Sequence, residues 1–200
     1  RIGLGEGRQA GTGRIATGSP PGNGKQPTMT IPPRRQVTTS QLSRLLLQTV
    51  IEPGEGEAQA VDALSGPLGV TPEQIGVELL YTRAFAVELA LQVGLGDRDM
   101  EDQLRDEYVA SLRQTDEGAW EMMQERLETY RAFTEQADGT TGLAGTMGGC
   151  FAAIFEQGPL TANLAHLGGR LFTALFDEIC QLLTQIDLID SDAGESDLEQ

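Results

Sequence analysis

The stretch TPEQIGVELLYTRAFAVELALQV, residues 71–93, decides the fold. Thr71 is placed to cap a helix, its hydroxyl accepting from a free backbone N–H of the first turn. Pro72 follows at the first helical position, where its missing N–H costs nothing. Gln74, three residues after Thr71, completes a capping box. Ile75, Leu79, Phe85, Leu89 and Val93 recur at mainly helical spacings, and Val77, Leu80, Ala84, Val87 and Leu91 fill much of the other side. A helix that is apolar nearly all round belongs at the centre of a helical array. Gly94 and Gly96 end it.

Three charges interrupt this helix: Glu78, Arg83 and Glu88. They exclude a membrane span, which needs roughly 18 or more consecutive apolar residues. The ordinary place for such charges is a solvated strip, or a pairing with neighbouring helices. The functional alternative is a polar site inside the bundle, with Arg83 pairing inward with Glu78 or Glu88.

Upstream, a helix is expected over 40–51. Ser40 or Thr39 caps it, Leu42, Leu45, Leu46, Thr49 and Val50 form its apolar face, and Pro53-Gly54 breaks it. A short helix over 56–65 carries Ala60, Val61 and Leu64, and SGPLGV links it to Thr71.

Downstream, Asp97 caps a segment over 98–114. Met100, Leu104, Tyr108 and Leu112 recur there every fourth residue between charged flanks, the pattern of a surface helix packing one side. Thr115 or Asp116 caps the next helix, 117–137. Its stripe of Trp120, Met123, Leu127, Tyr130 and Phe133 reads as bundle core rather than a ligand wall. These two helices form an antiparallel hairpin. A helix over 143–157 contains Leu143, Met147, Cys150, Phe151, Ile154 and Phe155, and starts in a glycine-rich run. Each glycine inside a helix costs roughly 1 kcal/mol relative to alanine, which points to close approach by a neighbouring backbone or a ligand. After Gly158-Pro159 a long last helix, 160–189, carries a continuous stripe from Leu160 to Ile186.

The charge is lopsided: 30 acidic residues against 14 basic, net −16. Residues 1–35 hold Arg1, Arg8, Arg14, Lys25, Arg34 and Arg35 against Glu6, a net of +5, which leaves −21 on residues 36–200. Such a field repels nucleic acid and anionic membranes, and suits a basic partner or simple solubility. Residues 1–38 are rich in Gly, Pro, Thr and Arg without periodicity and are expected to be disordered. Met29 reads as a natural start, which makes 1–28 upstream, non-native sequence. The acidic end, 190–200, is expected to fray. Two glycine runs in the basic tail fail as nucleotide motifs. GxGxG at 3–7 lacks its flanking strand and helix, and in GSPPGNGKQ at 18–26 Ser19 stands where a phosphate loop needs glycine and Gln26 where it needs Ser or Thr.

Candidate chemistry is sparse. Cys150 and Cys180 belong to no CxxC pair and read as buried thiols in a reducing cytoplasm, with no secretory signal peptide in view. His166 is the single histidine, and Arg170, four residues on, shares its helix face. Cys180 lies fourteen residues from His166, about 21 Å along a helix and out of reach; Cys150 could approach it. His166 falls off the buried stripe, however, as a boundary histidine does. A Glu-x-x-His di-iron pattern is excluded because Asn163 precedes His166 by three, and no GxSxG elbow occurs. Folding the last two helices about Gly158-Pro159 sets Gly149 opposite Gly168. That is either a close helix contact or the floor of a small-molecule pocket anchored by Arg170 or His166.

The sequence therefore reads as all-α: a single helical-bundle-like domain of about six helices over 39–189. The expected function is that of a non-enzymatic cytoplasmic interaction protein, binding a second copy of itself or a protein partner. The alternative is a small-molecule binder with its pocket between the last two helices. The ligand-binding candidates are Cys150, His166, Arg170, Arg83, Glu78 and Glu88. No catalytic residue, metal, cofactor, specific nucleic acid or membrane is expected.

Overall fold

In the computed structural model, which describes residues 34–54, 56–95, 98–115, 117–136, 142–155 and 160–189, the capping box at Thr71 forms as its spacing predicts. The Gln74 N–H donates to Thr71 Oγ1 at 3.3 Å, and the Thr71 N–H donates back to Gln74 Oε1 at 2.8 Å. Helix α3 (Pro72–Gly94) starts there. Around it, in chain order, lie β1 (Arg35–Thr38), α1 (Thr39–Ile51) and α2 (Glu57–Leu68), then α4 (Arg98–Thr115), α5 (Trp120–Gln136), α6 (Gly142–Ile154), α7 (Thr161–Gln185) and β2 (Ile186–Ile189). The fold is all-α, with seven helices and one short strand pair among the described residues.

Helix α3 is central because both its sides are apolar, and it packs against α1, α2, α4, α5 and α7. Phe85, near its middle, stacks on Tyr130 of α5 at 5.6 Å and on Phe172 of α7 at 6.0 Å between ring centroids. Those rings anchor the main core with Leu46, Val50, Leu91 and Leu104. A second cluster, Val61, Ile75, Leu79, Phe151, Phe155 and Leu164, fills the space where α2, α6 and α7 meet the N-terminal half of α3. No helix among the described residues is long and apolar enough to cross a membrane.

Element ends differ from expectation in several places, among them the start of α5, which is Trp120 rather than 117. Thr38 caps α1, rather than Thr39 or Ser40, and Gln41 completes its capping box. Thr38 is also the last residue of β1, so the strand holds it in the extended conformation that a cap needs (φ −75°, ψ 156°). Helix α2 continues through Pro67 to Leu68 and ends at Gly69, whose φ of 68° favours glycine. Helix α7 stops at Gln185. Residues 186–189 instead pair with β1 in parallel, Arg35 opposite Ile186 and Thr38 opposite Ile189. The first strand thus takes the last four residues of the segment expected as a tail. Thr115, expected with Asp116 as a cap of the following helix, is instead the last residue of α4. The expectations for residues 1–33 and 190–200, the caps Asp97 and Asp116, and the Gly158-Pro159 break lie outside the described residues.

Candidate binding cleft

The three charges that follow the first turn of α3, Glu78, Arg83 and Glu88, do not pair with one another; each turns to a different neighbour. Arg83 Nε donates to the Val50 carbonyl at 2.7 Å, and its Nη1 donates to Glu57 Oε1. Glu57 Oε2 accepts from the Gly54 N–H at 3.0 Å. This buried pair therefore ties the end of α1, the following loop and the start of α2 onto α3. Buried and paired internally, it is a clamp between elements. Glu88 receives Arg131 Nη2 at 2.6 and 2.8 Å near the surface, between α3 and α5.

Glu78 is different. It is 4 % exposed, and its Oε1 accepts from Tyr130 Oη at 2.7 Å. Tyr130 Oη also lies 2.9 Å from Thr82 Oγ1, which donates to the Glu78 carbonyl at 2.9 Å. On the other side, Arg126 Nε sits 3.1 Å from Glu78 Oε2, an ion-pair contact lying off the hydrogen-bond line. Burial raises the Glu78 carboxyl above its ordinary value; the Tyr130 hydrogen bond and the Arg126 charge pull it back only in part. Burial likewise raises the Tyr130 hydroxyl, and pushes the nearby Cys150 thiol up to about 11.

In front of this polar group the surface opens into a cleft of about 650 Å³. Helices α3, α5 and α6 and the α2–α3 turn form its walls. The apolar lining includes Val70, Val77, Tyr81, Met122, Ile154 and Phe155, with Glu78 and Arg126 in the lining and Glu73 and Gln74 on the α3 side. Val77 is 46 % and Met122 59 % exposed, two large apolar side chains open to solvent beside the same cleft.

The sequence-derived candidates separate into two places. Glu78 lines the cleft, and Cys150, buried on α6, lies near enough for its thiol to feel the Glu78 charge. Arg83 and Glu88 do not join them. His166 and Arg170 are exposed on α7 and line an open groove of about 530 Å³ along α6, with Ala144, Gly145 and Gly169. The α6–α7 contact is offset by one residue from the expected one. Gly148, not Gly149, meets α7, and a Cβ on it would fall on the Ala165 carbonyl. A Cβ on Gly168 would come within 2.5 Å of the Phe151 ring, whereas one on Gly149 would meet nothing within 4 Å. The small residues therefore allow backbones to touch, and the groove is what remains outside that contact.

Arg126, Tyr130 and Met122 are the residues that sequence reasoning missed as site members. A signal was present: Met122 and Arg126 are four apart, share a helix face and flank the apolar stripe of α5. Among the described residues no group of three or more His, Cys, Asp or Glu side chains is arranged to hold a metal ion. Comparison with protein-family models, curated proteins and solved structures returns no match.

Proposed function

We propose that the protein is a non-catalytic binding module whose ligand occupies the cleft between α3, α5 and α6. The observation that carries this reading is the pair of exposed apolar side chains, Val77 and Met122, beside a mostly apolar concavity. Binding sites of this kind combine apolar walls with a few placed polar groups, here Glu78, Arg126, Gln74 and Glu73. Methionine adapts its shape to an incoming surface, which suits such a wall. The titratable groups at and around Glu78 favour binding over chemistry: Tyr130 and Cys150 are held protonated by burial, and the Glu78 carboxylate already has partners on both oxygens.

Titration with an environment-sensitive apolar dye tests this. The dye should bind the native protein, and Val77→Ser with Met122→Ser should abolish the enhancement while leaving the helical circular dichroism unchanged. Unaltered dye binding by that double variant would sink the reading. A second reading places a small molecule in the α6–α7 groove, favoured by His166 and Arg170 lining it together. It predicts that Arg170→Gln weakens small-molecule binding and that the Val77/Met122 variant does not.

A further inference from the structure

The charge around the cleft points to the chemistry of its occupant. Glu73 lies one helical turn before Val77 and lines the cleft. Hydrogen bonds from its own backbone N–H and from Thr71 hold its carboxyl below the usual range, so it is charged at neutral pH. Glu125 lies three residues after Met122, is exposed, and shares the Met122 side of α5. Each protruding apolar residue therefore has an acidic residue beside it. Arg126, the one cation among the described lining residues, is offset by Glu78 at 3.1 Å. The chain as a whole is at −16, a field that opposes acidic ligands and a second copy of this chain alike and attracts cations.

From the juxtaposition of an apolar cleft with an exposed carboxylate beside each of its two protruding apolar residues, we infer that its occupant is a basic amphipathic helix of a partner protein. The inference rests on the binding-module reading above. In this arrangement one large apolar side chain of the partner enters the cleft between Val77 and Met122, and Lys or Arg residues flanking it reach Glu73 and Glu125. Helix-in-groove recognition uses apolar anchors at helical spacing for affinity. The flanking charges set partner choice and the rate of encounter.

Two synthetic amphipathic peptides with the same apolar face test this against the full chain by isothermal titration. One carries Lys and Arg on its polar face, the other Glu. The basic peptide should bind at least about tenfold more tightly and weaken as salt is raised. Glu73→Gln with Glu125→Gln should remove most of that preference, and Val77→Ser with Met122→Ser should remove binding of the basic peptide altogether. Equal binding of the two peptides overturns the inference and leaves the apolar cleft standing. Tight binding of the basic peptide that survives the Val77/Met122 substitutions also overturns it, since attraction is then to the acidic surface at large. Dye binding in the cleft without binding of either peptide overturns the helical occupant alone; absence of dye binding overturns the binding module itself.

Discussion

Tyr130 and Glu78, on helices α5 and α3, meet at 2.7 Å behind the cleft, and the tyrosine hydroxyl is the donor that compensates a buried carboxylate. Tyr130→Phe isolates that role, because the ring and its stacking on Phe85 are retained. A hydrogen bond to a charged group contributes about 1.5–3 kcal/mol, so the variant should lose stability in that range by urea denaturation. A loss within a few tenths would mean that Glu78 takes other partners. The cleft-side residues Val77 and Met122, being exposed, should by contrast tolerate serine with little change in the denaturation midpoint.

The same network carries a pH dependence. Tyr130 Oη contacts both Glu78 Oε1 and Thr82 Oγ1, and the Thr82 hydroxyl is committed to the Glu78 carbonyl. Two hydroxyl protons therefore serve three oxygen–oxygen contacts. A proton on the Glu78 carboxyl supplies the third: the acid donates to Tyr130, and Tyr130 turns to Thr82. The folded-state pKa of Glu78 is raised above its unfolded value. Its contribution to stability is thus fully present below about pH 4.5, the ordinary carboxyl value, and is lost as pH rises through the folded pKa. Glu78→Gln should lack this component. The stability of the native protein relative to Glu78→Gln should accordingly increase as pH falls through that window, and Tyr130→Phe should move the Glu78 carboxyl titration, followed by NMR, further upward.

Arg83 and Glu57 make the opposite kind of pair, closed to solvent and to ligands. Breaking a buried ion pair from one side leaves an uncompensated charge and costs about 3–5 kcal/mol. Arg83→Met should therefore destabilise the protein by that order, more than any single substitution at the cleft rim. Adding Glu57→Leu to it should recover a substantial part, because the stranded carboxylate is then gone. Equal denaturation midpoints for the single and double variants would show that the Val50 and Gly54 backbone contacts, rather than the ion pair, hold α1 and α2 onto α3.

The legible part of this molecule was local. Thr71, Pro72 and Gln74 specify the start of α3 within four residues, and the apolar surround of that helix places it at the centre; both follow from sequence because cap and periodicity are short-range. The partners of its charges were not legible. Glu57 is 26 residues from Arg83, Arg131 is 43 from Glu88, and Tyr130 is 52 from Glu78, and nothing in the helix itself selects among the 30 acidic and 14 basic residues of the chain. The β1–β2 pair was hidden for the same reason. IDLI at 186–189 continues the apolar stripe of α7, and only the backbone of Arg35–Thr38, far away in the chain, gives its N–H and C=O groups strand partners. The cleft itself is assembled from α3, α5, α6 and the α2–α3 turn, which no single segment encodes.

The one-residue offset between α6 and α7 gives the most local test of all. Gly148 and Gly149 are adjacent, both are inside α6, and their helical preferences are the same. In Gly148→Ala the new methyl collides with the Ala165 carbonyl of α7, and backbone, unlike a flexible side-chain tip, cannot step aside. Overpacking of that kind costs about 1–3 kcal/mol. In Gly149→Ala the methyl meets nothing within 4 Å, and alanine improves helix formation by roughly 0.5–1 kcal/mol. The two variants should therefore move the thermal midpoint in opposite directions. Should Gly149→Ala destabilise and Gly148→Ala stabilise, the helix would be rotated by one residue from its present setting. Cys150, two residues from Gly148, would then leave its place near Glu78, so the same pair of substitutions also tests how the surroundings of Glu78 are assembled.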